Sequence, residues 1–263
     1  MRWAAPILAF ALVALPSAPS SPTTATARPI VTVAANQSFN WAGYVQGRLE
    51  PGKGSFHSIA ATWIVPTATP HRAGEAEYSS SWIGIGGGCL DTSCMLTDAT
   101  LIQAGIGHDI DASGAADYYA WWETIPAPLV RTDLPVSPGD RVSVSISEGR
   151  VPEVWTVVIA NRSTGSRFTI TLPYPSSYTT AEWVIETPVV ITETGGIQVG
   201  PMPNLTMVRF DHVRANGRSP KFIPAERMEL VDFDLTLIAT PSLADRKGDG
   251  FNDCTYTATC PAP

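Results

Sequence analysis

Ala181-Glu182-Trp183-Val184-Ile185-Glu186-Thr187-Pro188 is a short aromatic and apolar run that carries two acids and is closed by proline. At a period of two residues, Glu182, Val184 and Glu186 share one strand face, and Trp183 and Ile185 share the other. Two acids therefore project the same way, and one is expected to face a groove. Working outward, similar segments recur. Strands are expected near residues 40–46, 55–65, 78–85, 99–106, 117–124, 141–147, 154–160, 167–171 and 180–186, then near 207–213, 229–237 and 252–258. Breakers such as Pro138-Gly139-Asp140 and Ser163-Thr164-Gly165 separate several of them. Short strands at short spacing predict an all-β sandwich of two sheets. No repeat of fixed period and no change of composition after residue 40 marks a second domain.

Composition agrees. Charged residues make up 16% of the 263, with 21 Gly and 23 Pro, which favours strands and turns over long helices. The formal charge of −7 offers no clustered Lys and Arg for nucleic acid or an anionic membrane. The N-terminus has the pattern of an export signal: Arg2, an apolar run from Trp3 to Leu15, then small residues. That run is too short for a permanent membrane span. The sequence thus divides into a signal peptide over 1–27, cut between about 18 and 27, a disordered spacer or short propeptide over 28–38, and one domain over 39–263. A secreted, extracellular, monomeric protein is expected.

Four cysteines fall in two close pairs, Cys89 with Cys94 and Cys254 with Cys260. An even count in an exported chain implies disulfides. Three connectivities are open, of which the two local loops are favoured over a shared zinc site, because neither pair has the two-residue gap of metal knuckles. Asn36, Asn161 and Asn204 each begin a glycosylation acceptor pattern. His57, His71, His108 and His212 are scattered, with no nucleophile elbow or metal-ligand spacing beside them. Asp245, Asp249, Asn252 and Asp253 only partly match a calcium loop and are expected to form a solvated turn. No cofactor and no metal are expected.

Tyr118-Tyr119-Ala120-Trp121-Trp122-Glu123 places four large rings and an acid in six positions. Alternation puts Tyr119, Trp121 and Glu123 on one face, where they could line a concave surface for an extended polymer. Here the residues carry a family resemblance. Asn40-Trp41-Ala42-Gly43-Tyr44-Val45, Ala61-Thr62-Trp63-Ile64-Val65-Pro66, Ser81-Trp82-Ile83-Gly84-Ile85-Gly86, Leu101-Ile102-Gln103-Ala104-Gly105, Tyr119-Ala120-Trp121-Trp122-Glu123 and Ala181-Glu182-Trp183-Val184-Ile185-Glu186 resemble, in order, the motifs of the glutamic peptidases, or eqolisins. The resemblance implies a concanavalin-like, lectin-like β-sandwich of two large antiparallel sheets that holds protein or peptide substrates in the cleft of the curved sheet. It implies Gln103 and Glu186 as the catalytic pair, with Trp82, Trp121 and Glu123 supporting them in the cleft. Glu182, four residues before the catalytic position, is then expected to be a solvated or salt-bridged acid. The chain departs from the family pattern at Gly86, Tyr119 and Ile125, which touches subsites and the surroundings of the pair, and at the cysteine-bearing insertion between Trp82 and Gln103.

The chemistry fits independently. Peptide hydrolysis needs a base for water, a donor for the oxyanion and an acid for the departing amine. A carboxyl group serves as base and acid in turn, and a side-chain amide supplies both a donor and an acceptor. An ordinary carboxyl pKa of about 4.3 would set an acidic working range. Two other functions compete: a carbohydrate-binding module, and a glycoside hydrolase using Glu123 and Glu186.

Overall fold

A computed structural model describes residues 29–191 and 197–263. The expected signal peptide therefore lies outside the described residues. The chain opens with β1 (Thr32–Ala34), β2 (Gln37–Ser38), β3 (Trp41–Gly47), β4 (Ser58–Ile64), β5 (Ala68–Thr69), β6 (Ser80–Gly86) and β7 (Leu101–Ile110). It continues through β8 (Ala116–Thr124), β9 (Val130–Arg131), β10 (Arg141–Glu148), β11 (Val154–Asn161), β12 (Arg167–Pro173) and β13 (Thr180–Glu186). There follow β14 (Val189–Ile191), β15 (Ile197–Val199), β16 (Asn204–Leu205) and β17 (Val208–Ala215), and then a short 3-10 turn, η1 (Pro224–Glu226). The last strands are β18 (Arg227–Val231), β19 (Leu237–Pro241) and β20 (Phe251–Thr255).

The principal strands form one ladder that folds over on itself. One limb runs β12-β11-β10-β4-β17, the other β3-β13-β6-β7-β8-β9, and β20-β19-β18 joins them along an edge. Neighbours along this ladder pair antiparallel; beside it, β2 lies parallel to β18 and antiparallel to β1. The limbs pack face to face, with β10 against β6 and β7. The expected sandwich is present, with its two layers continuous through one edge.

The core between the layers takes alternate residues from both limbs. Tyr44, Ile83, Ile85, Ala104 and Trp183 come from one side, and Trp63, Val144, Trp155 and Val157 from the other. The outer strand β12 alternates exposed and half-buried residues, as an edge strand with one solvated face should. By contrast β3 and β13 are buried at every position. Their second face carries a separate apolar cluster of Trp41, Val45, Trp82, Leu101, Trp121, Val184 and Met228. This accounts for the surplus of rings in the sequence.

Two expectations are corrected. Residues 229–237 form the end of one strand and the start of another, because the Asp232 side chain accepts from Asp234 N and Thr236 N and turns the chain. Residues 32–38 are not a disordered spacer. They form β1 and β2, and Asn36 Nδ2 anchors them by donating to Ala225 O and Arg227 O at 3.2 and 2.9 Å. Both disulfides are the expected local ones, Cys89–Cys94 and Cys254–Cys260.

Candidate active site

Strand register assembles the site. Glu182 on β13 pairs with Gly84 on β6, which pairs with Gln103 on β7, which pairs with Glu123 on β8. The next row on the same face is Val184, Trp82, Gly105 and Trp121, and the one after is Glu186, Ser80, Gly107 and Tyr119. Gln103 and Glu186 thus stand two rows apart on one face, with Trp82 in the row between. The glycines leave room for the rings. A Cβ on Gly105 would fall 2.4 Å from Trp82 Cβ, and one on Gly107 would fall 2.3 Å from Tyr119 Cζ.

Each proposed reactive group has one partner and one open atom. Gln103 Nε2 donates to Glu123 Oε2 at 2.6 Å, and Trp82 Nε1 donates to Glu186 Oε2 at 2.7 Å. Gln103 Oε1, Glu186 Oε1, Trp41 Nε1 and Trp121 Nε1 are buried without a hydrogen-bond partner. Such orphaned atoms are costly in a folded interior and mark places where a ligand or water completes the bonding. Exposure is 0% for Gln103, 1% for Glu123 and 3% for Glu186. Burial pushes the Glu186 carboxyl up to about 8; the nearby Glu123 charge adds to this, and the polar side chains around it, Trp41, Trp82 and Asn40, oppose it, Trp82 by the full hydrogen bond above. Burial likewise pushes Glu123 up to about 7, against the hydrogen bond from Gln103.

All five residues expected in the cleft are therefore brought to one sheet face. Glu182 is not the solvated acid expected. It is fully buried, neither of its oxygens has a partner, and burial raises its carboxyl well above the usual range. The cause is β13's central place between β3 and β6, under the chain at Gly88: a Cβ there would fall 2.5 Å from Glu182 Oε1. His108 is a core residue bonded to Ser79 and Ser81, and burial lowers it to about 3. The three acceptor asparagines all donate to backbone carbonyls, Asn161 from a fully buried position. Asp249 is buried and pairs with Arg214, and Asp253 is buried in β20, so the Asp245 stretch is only partly the solvated turn expected.

Sequence reasoning assigned no role to Asn40, Trp41, or the Asp109 and Arg131 that meet Tyr119. Tyr119 donates to Asp109 at 2.9 Å while Arg131 stacks 3.4 Å above its ring, and burial raises Asp109 to about 6. Asn40 and Trp41 open the first motif, which was their one visible signal.

Residues 39–242 match the family model described as the peptidase A4 family. The chain belongs to the peptidase A4 family. No curated protein sequence matches it. Among solved structures, a scytalido-glutamic peptidase carrying a peptide-based transition-state analogue is similar, with a TM-score of 0.62 and 21% identity over 85% of this chain and 100% of that one. SCP-B, an eqolisin in complex with the tripeptide Ala-Ile-His, has a TM-score of 0.56 at 17% identity over 85% and 100%. The aspergilloglutamic peptidase of Aspergillus niger has a TM-score of 0.50 at 21% identity over 69% and 99%. At these identities the likeness is one of fold. Family and fold together make this A4 chain a glutamic endopeptidase, and the carbohydrate functions lose their support.

Proposed function

We propose that the protein is a secreted acid endopeptidase in which Glu186 activates water and Gln103 stabilises the oxyanion. The observation that carries this is the shared face on which Gln103 Oε1 and Glu186 Oε1 are both buried and unpartnered, while Glu123 and Trp82 hold the opposite atoms of the same groups. Ionised Glu186 takes a proton from water as the water oxygen bonds to the peptide carbonyl carbon. The second hydrogen of Gln103 Nε2 meets the oxyanion, and Gln103 Oε1 orients the water. Protonated Glu186 then gives its proton to the amide nitrogen as the C–N bond breaks, releasing a carboxylic acid and an amine and restoring the carboxylate. Trp82 holds Glu186 in place, and Glu123 fixes the amide of Gln103.

A carboxyl pushed up to about 8 is protonated at acidic pH and cannot act as base there. Burial is the largest cause, so water entering with substrate lowers it toward the ordinary range, and activity at acidic pH requires an open cleft. A neighbour's complex with Ala-Ile-His shows a short peptide held by a protein of this family, which supports peptide substrates here. The export pattern of the N-terminus and the two disulfides support secretion. One chain carries every group of the site, so a monomer suffices, and among the described residues no helix is long and apolar enough to cross a membrane.

The test is hydrolysis of denatured protein between about pH 2 and 6 in the presence of pepstatin. Activity is expected in the wild type and is expected to be lost in Glu186→Gln and Gln103→Ala. Unchanged proteolysis in either folded variant sinks the pair. Glycan binding without proteolysis restores the binding-module function, and polysaccharide hydrolysis dependent on Glu123 restores the glycosidase.

A further inference from the structure

The cleft face continues past the proposed pair toward the edge strand β9. The row that begins at Glu186 runs through Ser80 and Gly107 to Tyr119, whose ring lies over Gly107, where a Cβ would fall 2.3 Å from its Cζ. The ring also packs against the apolar cluster that holds Trp82, the hydrogen-bond partner of Glu186. Arg131 on β9 stands opposite Trp121 and so shares this face. Its guanidinium stacks 3.4 Å above the Tyr119 ring, and its Nη1 donates to Asp117 Oδ2 at 2.7 Å. The two side chains of that ion pair are 51% and 58% exposed, so the pair is solvated and weak. A guanidinium carries several N–H donors in a planar fork, and this one keeps donors for a ligand on the open side of the cleft. Across β13, β6, β7, β8 and β9, Arg131 is the one Lys or Arg. A carboxylate entering this face meets acids elsewhere and a cation only here.

We propose that Arg131, held on the Tyr119 ring, determines specificity by binding a carboxylate of the substrate, from an Asp or Glu side chain or from the substrate's C-terminus, at a subsite displaced from the scissile bond. This rests on the peptidase function proposed above. The stack on Tyr119 and the bond to Asp117 hold the planar fork in place, so little freedom is lost when it takes a second carboxylate. β9 lies two strand spacings from the strand of Gln103, about 10 Å, which at ~3.3 Å per extended residue puts the bound carboxylate roughly two to four residues from the cut bond. The groups that face Arg131 are Asp117, Asp109 and the Tyr119 hydroxyl: Asp109 Oδ2 lies 3.9 Å from Arg131 Nη2 and accepts from Tyr119. Burial raises Asp109 to about 6, against the Tyr119 hydroxyl, Ser79 N and Arg131, while the Asp117 charge adds to the rise. At more acidic pH Asp109 is neutral, Arg131 keeps only an exposed counter-ion, and its charge is left for a substrate. Tyr119 is one of the positions where the chain departs from the family motifs, so the platform is a feature of this chain.

The test gives the enzyme internally quenched peptides that differ only in Glu or Gln at one position at a time, each made with a free and an amidated C-terminus. At about pH 5 one carboxylate-bearing peptide is expected to be cleaved with kcat/KM roughly three- to tenfold above its neutral twin, through KM more than kcat. A preference for Glu over Gln assigns the carboxylate to a side chain, and a preference for the free over the amidated end assigns it to the chain terminus. Arg131→Gln should bring either ratio to about one, whereas Asp117→Asn, which removes the competing counter-ion, should raise it. Binding of the same peptides to Glu186→Gln, followed by tryptophan fluorescence, judges the subsite without turnover. The preference in binding should be greatest between about pH 5 and 6, falling above that as Asp109 ionises and below about 4.3 as a peptide carboxyl takes up its proton. Asp109→Asn should remove the fall on the alkaline side. Equal rates and affinities for every twin pair overturn the proposal, and so does a preference that survives in Arg131→Gln. Silence of every form toward peptides, alongside carboxylate-selective binding that Arg131→Gln abolishes, overturns the peptidase function and leaves the subsite standing.

Discussion

The molecule holds two clusters built from one glutamine and two glutamates, and they are put to opposite uses. On the cleft face stand Gln103, Glu123 and Glu186. At the far end of β3 stand Gln46, Glu226 and Glu50, beside a cavity of about 710 Å³ that no residue of the proposed dyad lines. In the second cluster Glu226 Oε1 accepts from Gln46 Nε2 at 2.9 Å and pairs with Lys53 Nζ at 3.1 Å, and Glu226 Oε2 accepts from Ile223 N at 2.8 Å. Glu50 accepts from Gly47 N at 2.8 Å, and burial together with the neighbouring Glu226 carboxyl raises its own carboxyl. A cation and two backbone donors satisfy both oxygens of Glu226 and one of Glu50, leaving only Glu50 Oε2 open among the described atoms of that cluster, and pin the loop after β3 to η1. Among the described residues the cleft cluster has no cation and no backbone donor on Glu186, and it keeps two open oxygens, Gln103 Oε1 and Glu186 Oε1. Residue type alone does not separate a structural acid from a reactive one; its partners do.

The largest expected effect breaks the comparison if it fails. Glu186→Gln should lower proteolysis by roughly 100- to 10,000-fold with the fold retained, the range for loss of a positioned general acid or base. The matching Glu226→Gln change should leave the turnover of folded enzyme within about twofold, because Gln46, Lys53 and Ile223 already occupy both oxygens of Glu226 and the cluster lies away from the proposed dyad. Next, Gln103→Ala should cost roughly 100- to 1000-fold in kcat, read in steady-state kinetics on one peptide. Glu123→Gln should cost less but move the rising limb of the pH profile to lower pH, since the Glu123 charge helps to raise Glu186. An unmoved limb would mean that the two carboxyls do not communicate. Glu226→Ala should destabilise the protein by about 2 kcal/mol in urea unfolding, since it strands the half-buried Lys53 ammonium and the buried Gln46 amide.

The fold was legible from period-two patterns because strands such as β10 and β11 alternate cleanly. Strands buried on both faces, such as β13, were legible only as apolar runs. The short strands β1, β2 and β5 were not legible at all, since two or three residues carry no period and depend on distant partners such as β18 and β16. Gln103 taken alone is an ordinary strand glutamine, and the order of the motifs singled it out. The sequence offered no sign that Glu182 is buried, because its cover is the chain around Gly88 folding back from another strand. Nor could it show that Arg131 stacks on Tyr119, since that contact depends on the pairing of β9 with β8.

Stability against pH sharpens the comparison last and most gently. Glu186, Glu123 and Asp109 are raised to about 8, 7 and 6, all above the ordinary carboxyl range. The native state therefore binds more protons than the unfolded one between about pH 4.5 and 8, and each such group's contribution, complete at low pH, is lost as pH rises through its folded value. His108, lowered to about 3 by burial, works the other way, because the unfolded chain takes up its proton below about pH 6.5. The terms oppose one another at mildly acidic pH, and only the carboxyls remain above it. His108 cancels only one of the three carboxyls, so thermal stability should fall from about pH 5 onward, most steeply below about 6.5 where all three still hold extra protons, and more gently from about 6.5 to 8, by up to about 1.4 kcal/mol per pH unit for each net proton. Glu186→Gln and Glu50→Gln should each flatten that fall by their own share, measured as melting temperature across the range. If Glu50→Gln alone removes it, the structural cluster sets the alkaline limit of the enzyme, and the cleft carboxyls have been rehydrated in solution.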